Sequence, residues 1–307
     1  MSSLPLAIFA YNRPESLKRL LGSLRDCDGF NEAQVTIFID GPRSPADQDA
    51  VAATRQVAES LVQPHWVIKA DTVNKGLRRS ISQGVTDVCD RFGRAIVLED
   101  DLVLSPVALR YFQAGLDRYE NDPRVWSVCG YMYESPGLAR RNANFFLPMG
   151  HPWGWATWQR AWTQFDAMTN PIAPVGSPTF RKHFDVFGLR DFSNMLAMAI
   201  DGKIDSWFIR WHYRIFQSGG VSLFPPVSHV HNGGLTNGTH GSKLNPYEML
   251  GPKPSPLPKA VAGMPEVASV DYAAIDTITA SWDARLQKGI SAAGRMKRRM
   301  RAAKRAS

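Results

Sequence analysis

Glu99, Asp100 and Asp101 stand side by side at the end of the apolar run 95–98. Three adjacent carboxylates repel one another unless water or a cation offsets their charge. Carboxylate oxygens suit hard divalent cations such as Mg2+ or Mn2+, which keep several waters and complete their shell with substrate phosphates. The plainer reading is that acids ahead of Ser105-Pro106 favour a helix N-terminus, where negative charge contributes about 0.3–1 kcal/mol. The triplet alone does not choose between them. Three histidines, His229, His231 and His240, fall in the stretch HVHNGGLTNGTHGSK. Imidazole is a common Mn2+ ligand, though a histidine in a loop is more often simply solvated.

The triplet needs a scaffold, and the sequence supplies one. LPLAIFA (4–10) is a short apolar run, followed by YNRPESLKRLLGSLRDC with Leu17, Leu20, Leu21 and Leu24 at helical spacing. QVTIFIDGP (34–42) repeats the strand signal, and Ser44-Pro45 opens a second helix. HWVIKA, then NKGLRRSISQGVTDVCDRF, then RAIVLEDD and SPVALRYFQAGLDRYEND continue the alternation. Strands alternating with helices imply a parallel α/β sheet with helices on both faces. Ligands of such sheets lie beyond the carboxyl ends of the strands. That edge carries Tyr11-Asn12-Arg13, Asp40-Gly41, Asn74-Lys75-Gly76 and the triplet.

After Val125 the alternation stops. VWSVCGYM and NFFLPMG read as strands, WGWATWQRAWTQF as a helix burying Trp155, Trp158 and Trp162, and 189–220 as two helices around Asp201-Gly202. GVSLFPP reads as a last short strand. The histidine-bearing stretch, with four glycines in fifteen residues, reads as a loop able to act as a lid. GPKPSPLPK (251–259) reads as a linker.

With 307 residues and 44% hydrophobic content the chain can bury a sizeable core. Its three cysteines, Cys27, Cys89 and Cys129, are widely spaced and read as buried thiols. No apolar run reaches the roughly 18 residues of a membrane span and the N-terminus carries no basic leader, so the expected location is cytoplasmic. The net charge of +8 is local: eight of the 36 basic residues follow position 287 with no acid among them, and the remaining 28 balance the 28 acids. A neutral body argues against a nucleic-acid partner. The basic tail suits peripheral contact with an anionic inner-membrane surface or, more plainly, a solvated terminus.

The order of parts, IFAYNRPESLKRLL, IDGP, NKGLRRSI and VLEDDLVLSPVALRYF, resembles GT-A glycosyltransferases. Together with NFFLPMGHPWGWATWQRAW and IDSWFIRWHYRIFQSGGVSLFPPVSHVHNGG, it looks like the inverting N-acetylglucosaminyltransferase I-like branch and its bacterial family 2-like relatives. The likeness covers roughly positions 4 to 243. It implies a Rossmann-like nucleotide-sugar-binding sheet flanked by helices, with a mixed acceptor-side half. The corresponding organisation is a domain over 1–250 (donor half about 1–130, acceptor half about 131–250), a linker and extension over 251–287, and a basic tail over 288–307.

The resemblance also implies roles. Asp101 would bind Mn2+ or Mg2+ bridging the diphosphate of a nucleotide-sugar donor, most simply a UDP-sugar, with His231 the choice among the histidines to complete the site. Glu99 and Asp100 would contact the donor sugar, the ribose or metal-bound water. Tyr11 could stack on a base and Arg13 meet a phosphate, although Asn12-Arg13-Pro14 also reads as a plain turn into a helix. Asp40 matches an acid that contacts uracil or ribose, and Asn74, Lys75 and Gly76 a loop toward the nucleotide. Inversion needs a base opposite the leaving diphosphate. Asp205 matches that carboxylate, with Asp201 still open and a helix N-cap the structural alternative. Trp153 is a candidate platform for the acceptor sugar and His151 a partner for its hydroxyl. The acceptor would be a saccharide or a lipid-linked glycan of bacterial surface-glycan synthesis. Two rivals remain: a sugar-nucleotide-binding protein without turnover, and a nucleotidyltransferase, whose glycine-rich first loop AYNRPES lacks.

Overall fold

The computed structural model describes residues 4–166, 177–233 and 257–282. Seven consecutive buried residues form β1 (Leu4–Ala10), as an unbroken apolar run must when both faces are covered. Pro14 opens α1 (Pro14–Arg25), whose four leucines share one buried face. β2 (Ala33–Ile39) lies parallel to β1. Ser44 N donates to Asp47 Oδ2 (3.2 Å) ahead of α2 (Gln48–Leu61), so the helix proper starts after a short 3-10 turn. β3 (Val67–Ala70) adds to β2, α3 (Leu77–Phe92) follows, and β4 (Arg94–Glu99) returns to lie beside β1.

The local order β3-β2-β1-β4 fixes where a ligand can sit. The chain steps outward twice and then crosses back. Because parallel crossovers are right-handed, that reversal places α3 on the face opposite α1 and α2. It also brings the loops leaving β1 and β4 side by side at the carboxyl edge, and the chain after β4 packs on α1, where Leu104 N donates to Ser23 Oγ (3.1 Å).

The second half continues with β5 (Leu102–Leu104), α4 (Ala108–Arg118), β6 (Val125–Cys129), β7 (Phe145–Leu147), β8 (Trp155–Trp158), α5 (Gln159–Trp162), α6 (Pro178–Phe184), α7 (Phe192–Ile200), α8 (Trp207–Gln217), β9 (Val221–Phe224) and β10 (Val230–Asn232). The main sheet runs β3-β2-β1-β4-β8-β6-β9-β7, with only β8 and β7 reversed. The α/β class, the mostly parallel sheet with flanking helices and the mixed second half are as expected.

Two expectations are corrected. WGWATWQRAW does not begin as a helix: Trp155–Trp158 is a strand inserted between β4 and β6, and only Gln159–Trp162 is helical. All four strand residues are buried, so the stretch has no polar alternation to betray its period of two. The tryptophans still pack inside: Trp155 stacks on Trp207 (5.3 Å between centroids), while Trp158 Nε1 donates to the Leu116 carbonyl (3.1 Å). The histidine-bearing stretch is also not all loop. Val230–Asn232 pairs antiparallel with β5, while 234–243, with His240 and the expected lid, lies outside the described residues.

Residues 257–282 pack on the edge of the sheet. Gly263 and Val270 form parallel bridges with Ala143 and Phe146, Tyr119 Oη donates to the Pro265 carbonyl (2.6 Å), and Arg141 pairs with Asp271 (2.6 Å). The helical stretch 272–282 buries Ala274, Ile275 and Ile278. The three cysteines are buried and free. Among the described residues no helix is long and apolar enough to cross a membrane.

Candidate functional site

One arginine bridges the loops that follow β1 and β4. Arg13, just past β1, reaches across to Asp100 (Nη2 to Oδ1, 2.5 Å) and Asp101 (Nη1 to Oδ2, 3.2 Å). The β1 to β4 register seats Glu99 beside Phe9, and Asp100 N donates to the Phe9 carbonyl (3.0 Å). Burial pushes the Glu99 carboxyl up to about 8, with repulsion from Asp101 and Asp100 adding to it. Burial likewise raises Asp100 to about 7, outweighing the guanidinium beside it. Burial acts against the charge on Arg13, but Asp100 and Asp101 hold its guanidinium above the ordinary range. The triplet is therefore a place where further positive charge is favourable. Asp101 is partly exposed, its side chain 13% against 1% for the buried Asp100, and Glu99 is partly exposed as well.

Asp40 organises the neighbouring loops. Its Oδ1 accepts from Gly41 N (3.0 Å) and Lys75 N (2.8 Å), and its Oδ2 from Gly76 N (2.9 Å) and Asn74 Nδ2 (3.1 Å). Gly76 has φ +78, a left-handed conformation that a side chain would strain. Lys75 Nζ pairs with Asp71 (2.8 Å). The Tyr11 hydroxyl accepts from Arg43 N (3.0 Å), tying the loop after β1 to the loop after β2. The four sequence-predicted loops thus form one hydrogen-bonded edge.

Asp205 lies before α8, but Ser206 is the N-cap, accepting from Ile209 N (3.4 Å). Asp205 pairs instead with Arg78 Nε (2.6 Å) at the start of α3. This links α8 to the loop that Asp40 holds. Asp201 pairs with Lys203 (2.9 Å) in an exposed turn. Of the histidines, His229 is core: its ring stacks on Tyr111 (4.4 Å), its Nδ1 meets Ser105 Oγ (3.0 Å), and burial pushes it down to about 3. His231 lies on β10 opposite Val103, and Gly233 N donates to the Asp101 carbonyl (2.8 Å), so β10 runs beside the triplet.

The other flank is aromatic. His151 is buried, stacks on Tyr131 (4.5 Å) and accepts at Nδ1 from Trp153 N (3.3 Å); burial and then Arg190 hold it well below its ordinary pKa, hence neutral. Trp153, half-buried, meets Tyr131 edge-on (4.7 Å), and Tyr133 joins through Tyr131 (5.4 Å) and Trp282 (5.6 Å). Tyr131, Tyr133 and Arg78 are not among the sequence-predicted residues. The two tyrosines follow the end of β6, the same edge as the triplet, and that strand-end position is the signal that could have found them.

Among the described residues no group of three or more His, Cys, Asp or Glu side chains is placed to hold a metal ion by itself. The donors nonetheless fit a hard cation that arrives with phosphates, which needs only one or two carboxylates from the protein. Asp101 would supply the first, and the raised carboxyls beside it give the reason a cation is welcome.

No protein-family model matches the chain. Among solved structures it is similar to GalNAc-T7 with UDP, GalNAc and Mn2+ (12% identity, TM-score 0.46, covering 75% of this chain and 44% of that one). It is also similar to the mannosyltransferase PcManGT from Pyrobaculum calidifontis with GDP-Man and Mn2+ (12%, 0.40, 71% and 70%). A third similar structure is S. aureus TarS (11%, 0.41, 92% and 43%). The chain spans less than half the length of the first and third.

Proposed function

We propose that the protein is a metal-dependent, inverting GT-A glycosyltransferase that moves a hexosyl or N-acetylhexosaminyl group from a nucleotide-sugar, a UDP-sugar by preference, to a saccharide or lipid-linked acceptor of bacterial surface-glycan synthesis. The observation that carries it is the acidic triplet with its raised carboxyls at the point where the strand order reverses, faced by Arg13 and the Asp40 loops. The likeness of IFAYNRPESLKRLL, VLEDDLVL and WGWATW to that family supports it. Tyr11, Arg13, Asp40 and the 74–76 loop hold the nucleotide, and Asp101, with His231 nearby on β10, holds the cation. What a divalent cation supplies there, when bound, is neutralisation of charge on the departing diphosphate.

In the transfer, Asp205 takes the proton of the acceptor hydroxyl as its oxygen bonds to the anomeric carbon. The bond from that carbon to the diphosphate breaks in the same step, and the nucleotide diphosphate leaves. Trp153 and His151 orient the acceptor. The protein works in the cytoplasm, peripherally at the inner membrane through its basic tail.

Calorimetric titration with UDP tests the donor edge. Wild-type protein binds UDP with Mn2+ and loses that affinity in EDTA, and Asp101→Asn abolishes the metal-dependent part while circular dichroism is unchanged. Equal UDP affinity with and without EDTA rejects the proposal.

A further inference from the structure

Residues 272–282 lie beyond the stretch, roughly 4 to 243, that carries the family likeness, yet they pack at the same edge of the sheet as the triplet. β4 and β6 both run antiparallel to β8, so the loop that follows β6 emerges where the loop after β4 does. The helical stretch 272–282 lies along that loop at three points. Thr277 Cγ2 leaves Gly137 no room for a side chain, being 2.6 Å from where a Cβ would stand. Ser281 Oγ and Ser135 Oγ are hydrogen-bonded (2.8 Å), and the Trp282 ring meets Tyr133 edge-on (5.6 Å). Ala274, Ile275 and Ile278 anchor the helix in the core.

These contacts complete an aromatic cluster whose ends differ from its middle. Tyr131, Tyr133 and His151 are buried, with Tyr131 against His151 (4.5 Å) and Tyr133 against Tyr131 (5.4 Å). Trp153, which meets Tyr131 (4.7 Å), and Trp282, which meets Tyr133, are only half-buried. Burial of the inner rings is what a core requires. Two indoles left partly in water, one at each end of the cluster, are what a chain of sugars can use. A pyranose presents apolar C–H faces that lie flat on an aromatic ring, and a large rigid ring supplies contact area at little cost in conformational entropy.

We infer that Trp282 is a specificity-determining residue of the acceptor site. Trp153 takes the sugar that is glycosylated, Trp282 takes the next sugar along, and the acceptor is therefore an oligosaccharide rather than a single sugar. This rests on the reading of Trp153 and His151 as the acceptor flank. It does not rest on the donor edge, since none of these rings belongs to the loops that Asp40 and Arg13 tie together.

The test is retention of the full chain, with UDP and Mn2+ present, on an array of immobilised mono-, di- and trisaccharides of glucose, galactose, mannose and N-acetylglucosamine. At least one di- or trisaccharide is bound about tenfold or more tighter than the monosaccharide it ends in. Trp282→Ala lowers that affinity to the level of the monosaccharide, whose own binding is spared, as it would not be by a general loss of structure. Trp282→Phe keeps a ring and retains part of the gain. Both variants keep the wild-type circular dichroism and UDP affinity. Trp153→Ala abolishes retention of mono- and oligosaccharides alike. If Trp153→Ala has that effect while Trp282→Ala has none, or if mono- and oligosaccharides bind equally, the acceptor flank stands and the role of Trp282 is overturned. If Trp153→Ala changes nothing, or no glycan is retained, both are overturned. Absence of UDP binding in wild-type protein bears on the donor edge alone.

Discussion

A general base must be reachable by the acceptor and held in one place. The Asp205 side chain is 63% exposed, and what holds it is Arg78 Nε at 2.6 Å. Positioned bases contribute about 10²–10⁴-fold, so Asp205→Asn lowers kcat by that factor and leaves UDP affinity at the wild-type value. A normal rate, or a product that retains the donor's anomeric configuration, contradicts the assignment. Acid sensitivity has other sources, and His212 is one of three buried histidines, with His151 and His229, held below their ordinary value. His212 is fully buried, its Nε2 against the Phe184 carbonyl (3.1 Å), and burial pushes it down to about 4 from 6.5. Between those values the unfolded chain binds the proton and the folded chain does not, so stability falls as pH falls through that window, by about 3 kcal/mol in all. His212→Gln keeps a donor for the carbonyl but does not titrate. Denaturation midpoints measured from pH 7 to pH 4 fall less steeply for the variant than for wild type; parallel curves would show that His212 does not contribute.

Elements explain both what the sequence revealed and what it hid. β1, α1, β2 and α3 are legible because apolar runs and helical periods are local properties, and the four polar loops at their ends follow from strand direction alone. β8 is hidden because it is buried on both faces, and β10 because its partner, β5, lies more than a hundred residues earlier in the chain. The bridge from Arg13 to Asp100 and Asp101 is a tertiary fact of the same kind. These late elements meet at Gly154, which has φ +60 and donates no side chain to the crowded gap; a Cβ there would lie 2.8 Å from Val230 Cγ1. Its carbonyl accepts from Gly130 N (2.7 Å), locking the entry to β8 against the exit of β6. Gly154→Ala must therefore push β10 away while adopting a left-handed backbone. Overpacking costs about 1–3 kcal/mol, so the urea midpoint falls, with the slope unchanged if only stability is affected. A wild-type midpoint would mean that the gap relaxes freely.

At the scale of the molecule, charge and connectivity point the same way. Residues up to 287 carry equal numbers of acids and bases, and the last twenty carry eight bases alone. The described chain ends at Trp282, whose ring meets Tyr133 (5.6 Å), and Tyr133 meets His151 (5.7 Å) in the aromatic flank of the candidate acceptor site. Six residues further on stands Lys288, and an extended chain covers at most about 3.6 Å per residue, so the basic run begins within about 22 Å of Trp282. Each basic residue close to an anionic leaflet contributes about 1 kcal/mol, which for this cluster suffices for reversible attachment without a span. Ile290, Met296 and Met300 are the larger apolar residues of that run. Sedimentation with vesicles of anionic and of neutral lipid, comparing the full chain with one ending at Gln287, measures this directly. The full chain pellets with anionic vesicles at low salt and is released as salt screens the charges, whereas the shortened chain stays in solution. If both forms pellet alike, or neither does, the tail plays no part in bringing the protein to a membrane.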